Sequence, residues 1–152
     1  MATTAEARIR ELGIVLPSPA APGGNYISAK TVGRLVYMAG VISTDASGVM
    51  AGTVGLNRTI EEGYAAARAC ALTQVSALQQ HLGSLDLIKS IVALTGYVNS
   101  VAGFADSPKV INGASDLFVE ILGDAGRHVR AAIGVSALPR DALVELQIIA
   151  EI

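Results

Sequence analysis

The sequence has only one cysteine, Cys70, among its 152 residues. A single cysteine excludes an intrachain disulfide, and nothing else in the sequence indicates an oxidising compartment. The N-terminal stretch MATTAEARIREL is polar and lacks the apolar core of a secretory signal peptide. No segment approaches the roughly 18 uninterrupted apolar residues of a membrane span. We therefore expect a cytoplasmic protein without a membrane partner.

Charge is scarce as well. Charged residues make up 16% of the sequence, hydrophobic residues make up 51%, and the net charge is −2. Lys and Arg form no run, so the basic stripe that nucleic-acid binding normally requires is missing and we expect no nucleic-acid partner. The length is typical of one domain. The low charge density predicts that another subunit covers part of the apolar surface.

A short arm precedes the single domain. We assign residues 1–24 to the arm, with a helix over Thr3–Leu12 followed by an irregular stretch rich in Pro and Gly. The domain, residues 25–152, opens with two β-rich runs joined at Val32–Gly33–Arg34, as in a hairpin. Further strands are predicted at Ile88–Val98, Val129–Val135 and Leu143–Ile152.

Two helices are predicted within the domain. One spans about Ile60–Leu82, between the capping residue Thr59 and Gly83, which suits a left-handed C-cap. Its apolar stripe recurs at spacings of three and four and consists of Ile60, Tyr64, Ala67, Ala71, Val75, Leu78 and Leu82. The other helix has Pro108 in its first turn and ends at Gly123.

This order of elements predicts an α/β (α+β) domain with one mixed sheet and two helices on one face. The last strand fits this arrangement because its residues alternate in polarity. One face carries Val144, Leu146, Ile148, Ala150 and Ile152, and the other carries Glu145, Gln147, Ile149 and Glu151. The second face lacks a cover within the chain, so we expect oligomerisation to provide one.

The last third of the sequence resembles a known signature. Arg130–Val135, then Leu138–Pro139, then Val144–Glu145 are similar to the series Arg-x-x-Val-x-Val, Leu-Pro and Val-Glu-Ile-Glu. That series is typical of the Rid (reactive intermediate deaminase, YjgF-like) superfamily, also labelled the L-PSP endoribonuclease family. The sequence resembles a longer-armed subgroup of this superfamily.

Three upstream motifs extend the resemblance. Gly24–Asn25–Tyr26 is similar to the family's Gly-Pro-Tyr before the first strand, and Ala39–Gly40 falls where the family has Ser-Gly. Asn112 matches the Asn of the family's second helix. In this order the motifs cover roughly residues 22–152, and the ordered set is more specific than any one of them.

The resemblance implies a chorismate-mutase-like (YjgF-like) domain that assembles into a barrel-like homotrimer, with sites in the clefts between subunits. It implies hydrolysis of reactive enamines and imines, such as 2-iminopropanoate, to 2-oxo acids and ammonia. The substrate would be a small imino acid and the product a keto acid. Neither a metal nor an organic cofactor is implied.

The resemblance also implies roles for particular residues. Arg130 would bind the substrate carboxylate and Glu145 would handle water and its proton. The substrate pocket would be formed by Tyr26, Ala39, Gly40, Asn112 and Ala132. This sequence has Ala39 where many members have Ser, Val41 where they have Gln, and Ala132 where they have Cys. The pocket would therefore be more apolar.

Other readings of these residues remain open at this point. Arg130 and Glu145 would lie opposite each other if their strands form a hairpin with a four-residue loop, and would then form a structural ion pair. His128 is a conceivable general base, but a surface or interface position is favoured. Cys70 is interpreted as a small buried hydrophobe.

Alternatives to the deaminase are a non-catalytic or chaperone-like protein that binds a small carboxylate, and a ribonuclease, which the acidic composition disfavours.

Overall fold

The computed structural model of the protein describes residues 2–19 and 21–152. Met1 and Ala20, which belong to the predicted arm, lie outside the described residues. The helices are α1 (Ala5–Glu11), α2 (Ile60–Leu82) and α3 (Ser107–Leu122). The strands are β1 (Ala29–Val32), β2 (Leu35–Met38), β3 (Val41–Ile42), β4 (Thr44–Asp45), β5 (Gly48–Val49), β6 (Ser90–Asn99), β7 (Val129–Val135) and β8 (Val144–Glu151).

The predicted helix boundaries are confirmed where capping residues define them. The Thr59 hydroxyl accepts a hydrogen bond from the backbone N–H of Glu62 at 3.1 Å, which satisfies a free donor at the start of α2. Gly83 ends the helix in the left-handed region with φ 83°. Pro108 stands in the first turn of α3, where its missing N–H breaks no helical bond.

The predicted apolar stripe of α2 is wrong at Tyr64. This side chain is only partly buried, and its hydroxyl donates to the Asp116 carboxylate on α3 at 2.6 Å. The ring therefore lies at the edge of the helix pair rather than in the core. The two helices meet through small residues instead, because a Cβ on Gly113 would lie 2.0 Å from the Tyr64 backbone oxygen. Only glycine permits this close approach.

The main sheet has the order β1-β2-β8-β6-β7, with β3 also paired to β8. β7 runs parallel to β6, and α3 connects the two strands. A parallel connection of this kind needs a crossover, which α3 provides while it covers the sheet. β8 pairs with the opposite edge of β6 in the antiparallel direction. β7 and β8, which follow each other in sequence, therefore do not form a hairpin.

The two faces of the sheet differ in the way that the alternation in β8 predicted. On the side of α2 and α3, Val144, Leu146, Ile148 and Ala150 are almost completely buried. The other side has no covering element in the described chain, and it exposes large side chains such as Tyr37 (44% exposed) and Ile133 (47% exposed). We refer to these sides as the helix face and the open face. An open apolar face of this kind is typical of a surface between subunits.

Candidate functional site

Arg130 lies on the edge strand β7, and its side chain points to the helix face. It pairs in register with Leu94, a buried residue of that face. The guanidinium donates from Nη1 to the Ser115 hydroxyl at 2.9 Å and from Nη2 to the Pro108 backbone oxygen at 3.3 Å. Both acceptors belong to α3. The residue is exposed, and these two bonds fix the plane of its guanidinium.

Asn112 and Ala132 lie on the same side of the sheet as Arg130. Pro108, Asn112 and Ser115 share one face of α3, since their spacings are four and three. Asn112 is exposed between the two α3 groups that contact the guanidinium. Ala132 follows Arg130 by two residues on β7, so it points the same way and packs partly on the core. The structure thus places Arg130, Asn112 and Ala132 on one side of the sheet, and we refer to them as the Arg130 cluster.

Glu145 lies on the open face of the central strand β8. It pairs with Ile42 of β3 on one side and with Tyr97 of β6 on the other. Its carboxylate covers Gly40, where an added Cβ would lie 3.2 Å from Oε1. Ala39 and Gly40 occupy the break between β2 and β3. The structure thus brings Ala39, Gly40 and Glu145 together, and we refer to them as the second or Glu145 cluster.

A buried amide on the helix face fixes the backbone of the second cluster. Gln74 of α2 is fully buried, and its Nε2 donates to the Ala39 oxygen at 3.0 Å and to the Leu146 oxygen at 2.9 Å. These bonds tie the break between β2 and β3 to β8, which carries Glu145. No motif in the sequence marks Gln74 as part of the site.

Tyr26, the remaining predicted site residue, packs on the turn that precedes it. Its hydroxyl accepts a hydrogen bond from the Gly23 backbone N–H at 3.0 Å, and the ring lies against Gly24. The side chain is 51% exposed. The contacts with Gly23 and Gly24 fix the end of the arm.

The two clusters do not meet within one chain. β6 separates β7 from β8, so their strands lie about 10 Å apart. Arg130 is level with Leu94 and Glu145 with Tyr97, which adds about 10 Å along the strands. The two side chains also project from opposite faces. The interpretation as an ion pair between neighbouring strands is therefore wrong for a single chain.

His128 and Ser115 form part of the Arg130 cluster, and Ser115 was not anticipated from the sequence. His128 Nε2 lies 2.9 Å from the Ser115 hydroxyl, and Nδ1 lies 2.7 Å from the Gly126 oxygen. The ring packs edge-on against Phe118, with centroids 6.0 Å apart. One signal was present in the sequence, because residues two apart in an extended segment share a face and His128 precedes Arg130 by two.

Cys70 is fully buried, as the sequence analysis predicted for a small hydrophobe. Burial raises the pKa of its thiol well above the ordinary value, and the nearby negative charge of Glu145 raises it further. A thiol that stays protonated is a poor nucleophile. Cys70 therefore belongs to the packing under β3 and β8 rather than to the reactive groups.

Among residues 2–19 and 21–152, no helix is both long and apolar enough to cross a membrane. Within the same ranges, no three side chains of the His, Cys, Asp or Glu type gather closely enough to hold a metal ion.

Comparison with known proteins bears on both fold and family. Residues 6–152 match the model of the family described as "YjgF/chorismate mutase-like, putative endoribonuclease". Protein TCP17 of Trypanosoma cruzi is 44% identical over 148 residues, which cover 96% of this chain and 92% of TCP17. These matches span both clusters and every element of the sheet.

Solved structures agree with this result. A protein from Shewanella oneidensis MR-1, named a putative endoribonuclease, is 35% identical with a TM-score of 0.93 over 98% of this chain and 99% of its own. RidA from the Antarctic bacterium Psychrobacter sp. PAMC 21119 is 25% identical with a TM-score of 0.60 over 89% of this chain and 94% of its own. The predicted fold class is confirmed.

Proposed function

Because this chain belongs to the YjgF/chorismate mutase-like family, we propose that it hydrolyses reactive imines and enamines of amino acids to 2-oxo acids and ammonia. The observation that carries the proposal is the exposed guanidinium of Arg130, held at the sheet edge by two bonds to α3. Such a group suits a small anionic substrate. An imino acid such as 2-iminopropanoate has the required carboxylate next to its electrophilic carbon.

Arg130 would bind that carboxylate through two parallel charge-assisted hydrogen bonds. A guanidinium has five N–H donors in a planar fork, and α3 uses one from each of Nη1 and Nη2. Each of the three nitrogens then keeps a donor. Two neighbouring donors fix both the position and the plane of a carboxylate, which a single ammonium group cannot do.

Glu145 would act on the attacking water. Its carboxylate accepts a proton as the water oxygen bonds to the imine carbon, and it delivers that proton to the nitrogen. Glu145 would then take the hydroxyl proton of the resulting carbinolamine and pass it to the amino group, so that the carbon–nitrogen bond breaks as the carbonyl forms and ammonia leaves. The step consumes one water and needs no oxidant or reductant. An enamine enters the same sequence after its carbon is protonated to give the imine.

The site would be built by two copies of the chain. Arg130 and Glu145 project from opposite faces and are separated by β6, so one small substrate cannot touch both in a single chain. In a cyclic homotrimer, each cleft would combine the Arg130 cluster of one copy with the Glu145 cluster of the next. The open face, with Tyr37 and Ile133 exposed, provides apolar area for this assembly.

A second candidate function is binding of a 2-oxo acid without turnover. The apolar side chains of Ala39, Val41 and Ala132 favour it, because none of them can hydrogen-bond to a substrate or a water. Ala132 and Val41 both pack against the core in this chain. Stabilisation of the protein by pyruvate in a thermal-shift measurement, without any acceleration of imine hydrolysis, would support this alternative.

The test is a coupled assay in which an amino-acid oxidase generates the imine from alanine. The wild-type protein should accelerate pyruvate release, and Arg130→Ala should lose at least about 100-fold in kcat/KM, since an anchoring charge pair is removed. Arg130 is exposed, so the variant should keep its Tm and its oligomeric state. His81→Gln is the control, because it changes a side chain that bonds to Thr31 and belongs to neither cluster. No acceleration with several imino acids would contradict the deaminase.

A further inference from the structure

One hydrogen-bonded series supports the Arg130 guanidinium from behind. The Gly126 oxygen lies 2.7 Å from His128 Nδ1, His128 Nε2 lies 2.9 Å from Ser115 Oγ, and Ser115 Oγ lies 2.9 Å from Arg130 Nη1. We call the Gly126 oxygen, the His128 ring and the Ser115 hydroxyl the Arg130 support. The support joins three parts of the fold, namely the turn before β7, helix α3 and strand β7 itself.

The direction of every bond in the support follows from chemistry. A carbonyl oxygen only accepts, so His128 Nδ1 carries a hydrogen and donates it to Gly126. In the neutral ring Nε2 then has a free lone pair, and the Ser115 hydroxyl donates to it. The hydroxyl oxygen consequently presents its lone pairs to Arg130 Nη1. One tautomer of His128 thus fixes the proton of Ser115 and, through it, the acceptor for Arg130.

The surroundings of His128 favour this neutral form. The ring is partly buried, and burial lowers its pKa below the ordinary value; the bond to Gly126 opposes this effect and the positive charge of Arg130 adds to it. Its other neighbours, Ser115 and Phe118 of α3, carry no charge. At neutral pH the imidazole is therefore an acceptor at Nε2.

We propose that Ser115 and His128 are positioning residues that orient the Arg130 guanidinium for the substrate carboxylate. The proposal rests on the proposed function for the identity of the ligand, a small 2-oxo or imino acid. Neither residue touches the reacting atoms. Ser115 holds Nη1, and His128 acts only through Ser115 by fixing its hydroxyl proton.

The consequence of losing each residue differs in a testable way. Without the Ser115 oxygen, Arg130 keeps a single anchor on α3, the Pro108 oxygen at 3.3 Å. Without the His128 acceptor, the Ser115 hydroxyl is free to bond to the helix carbonyl four residues earlier, as serine does within helices. Turning the side chain about its Cα–Cβ bond to reach that carbonyl moves its oxygen away from Nη1, so Arg130 would lose the same partner. Removing both residues should therefore do no more harm than removing Ser115 alone.

The experiment is a double-mutant cycle that measures the Kd for pyruvate by calorimetry and the KM and kcat for the imine. Ser115→Ala and His128→Leu should each raise Kd and KM about 10-fold, the effect of one hydrogen bond to a charged group, while kcat changes less than about 3-fold. The double variant should match Ser115→Ala within about 2-fold. His128→Gln, which keeps an acceptor for Ser115, should recover most of the affinity.

The controls separate this proposal from its premise. His81→Gln should leave Kd and KM unchanged. If His128→Leu does not fold, Ser115→Ala still tests the contact, because it removes only an oxygen from α3.

A Kd for Ser115→Ala equal to that of the wild type overturns the positioning role, and so do losses that multiply in the double variant. Pyruvate binding that Ser115→Ala weakens, without imine turnover by the wild type, overturns the proposed reaction but supports the positioning role. A wild type that neither binds pyruvate nor accelerates hydrolysis overturns both.

Discussion

Arg130 and Glu145 are held in different ways. Arg130 lies on the edge strand β7, where its exposed guanidinium is held by the hydrogen bonds that it donates to the Ser115 hydroxyl and the Pro108 backbone oxygen of α3. Glu145 lies on the central strand β8, paired with β3 and β6, and its carboxylate covers Gly40. The cation is positioned by the hydrogen bonds between its guanidinium and α3, whereas the anion is positioned by the backbone of neighbouring strands.

This difference indicates how each cluster responds to change. The orientation of Arg130 depends on two hydrogen bonds to α3, so it should be sensitive to small shifts of that helix. The orientation of Glu145 depends on the sheet, so only a change directly under the carboxylate should move it. Because the clusters occupy opposite faces, a change in one should leave the other intact.

The largest effect is expected from Gly113→Ala, which acts on the Arg130 side. The new Cβ would lie 2.0 Å from the Tyr64 oxygen, so α3 must move away from α2. We expect a net loss of about 2 kcal/mol in the free energy of unfolding, since overpacking costs up to about 3 kcal/mol and the gain in helix propensity is about 1 kcal/mol. Chemical denaturation measures this loss.

The same variant should also raise KM for the imine, since α3 carries Ser115 and Asn112. Lys109→Ala, an exposed change on the same helix, should alter the free energy of unfolding by less than about 0.5 kcal/mol. Equal stability of Gly113→Ala and wild type would show that the two helices do not depend on this contact.

A smaller effect is expected from Gly40→Ala on the Glu145 side. The added Cβ would lie 3.2 Å from Glu145 Oε1, so the carboxylate must shift by a few tenths of an ångström. We expect kcat to fall about 3-fold to 10-fold with KM nearly unchanged, because a misplacement of about 1 Å can cost 100-fold. Steady-state kinetics would detect this, and an unchanged kcat would contradict a role for the observed carboxylate position.

The smallest effect concerns pH. Burial lowers the pKa of His128 in the folded protein below its ordinary value of 6.5, so the unfolded chain binds a proton more readily. The contribution of His128 to stability is therefore complete above pH 6.5 and is lost as the pH falls below it. Denaturation at pH 7 and pH 5 should show a smaller loss for His128→Gln than for the wild type. Equal losses would place the imidazole in solvent.

The sequence predicted the two long helices and the strands β6, β7 and β8 because their limits depend on local chemistry, but it did not predict the break at Ala39–Gly40 that separates β2 from β3. Thr59 and Gly83 define α2 through capping, and the alternation in β8 separates the helix face from the open face. These signals act over a few residues, so they do not depend on the tertiary arrangement. Arg130 and Glu145 were singled out by resemblance, and the exposed guanidinium and open-face carboxylate suit the roles proposed for them.

The pairing of strands was not predictable in the same way. No residue in the segment Ser136–Asp141 indicates whether β8 pairs with β7 as a hairpin or pairs with the other edge of β6. The contact of Ser115 with His128 exists only because α3 packs over β7. Tyr64 fitted the helical spacing, yet the acceptor that draws it outwards, Asp116, lies 52 residues away. Such contacts follow from tertiary packing, which periodicity does not encode.

In the proposed site, Arg130 of one copy acts together with Glu145 of another, and mixed oligomers test this arrangement directly. Arg130→Ala and Glu145→Gln should each be inactive alone. After the two variants are unfolded and refolded together in equal amounts, about a quarter of the clefts in a cyclic assembly should contain both native residues. We predict recovery of about a quarter of the wild-type imine hydrolysis. A mixture that stays as inactive as either variant refolded alone would contradict the shared site.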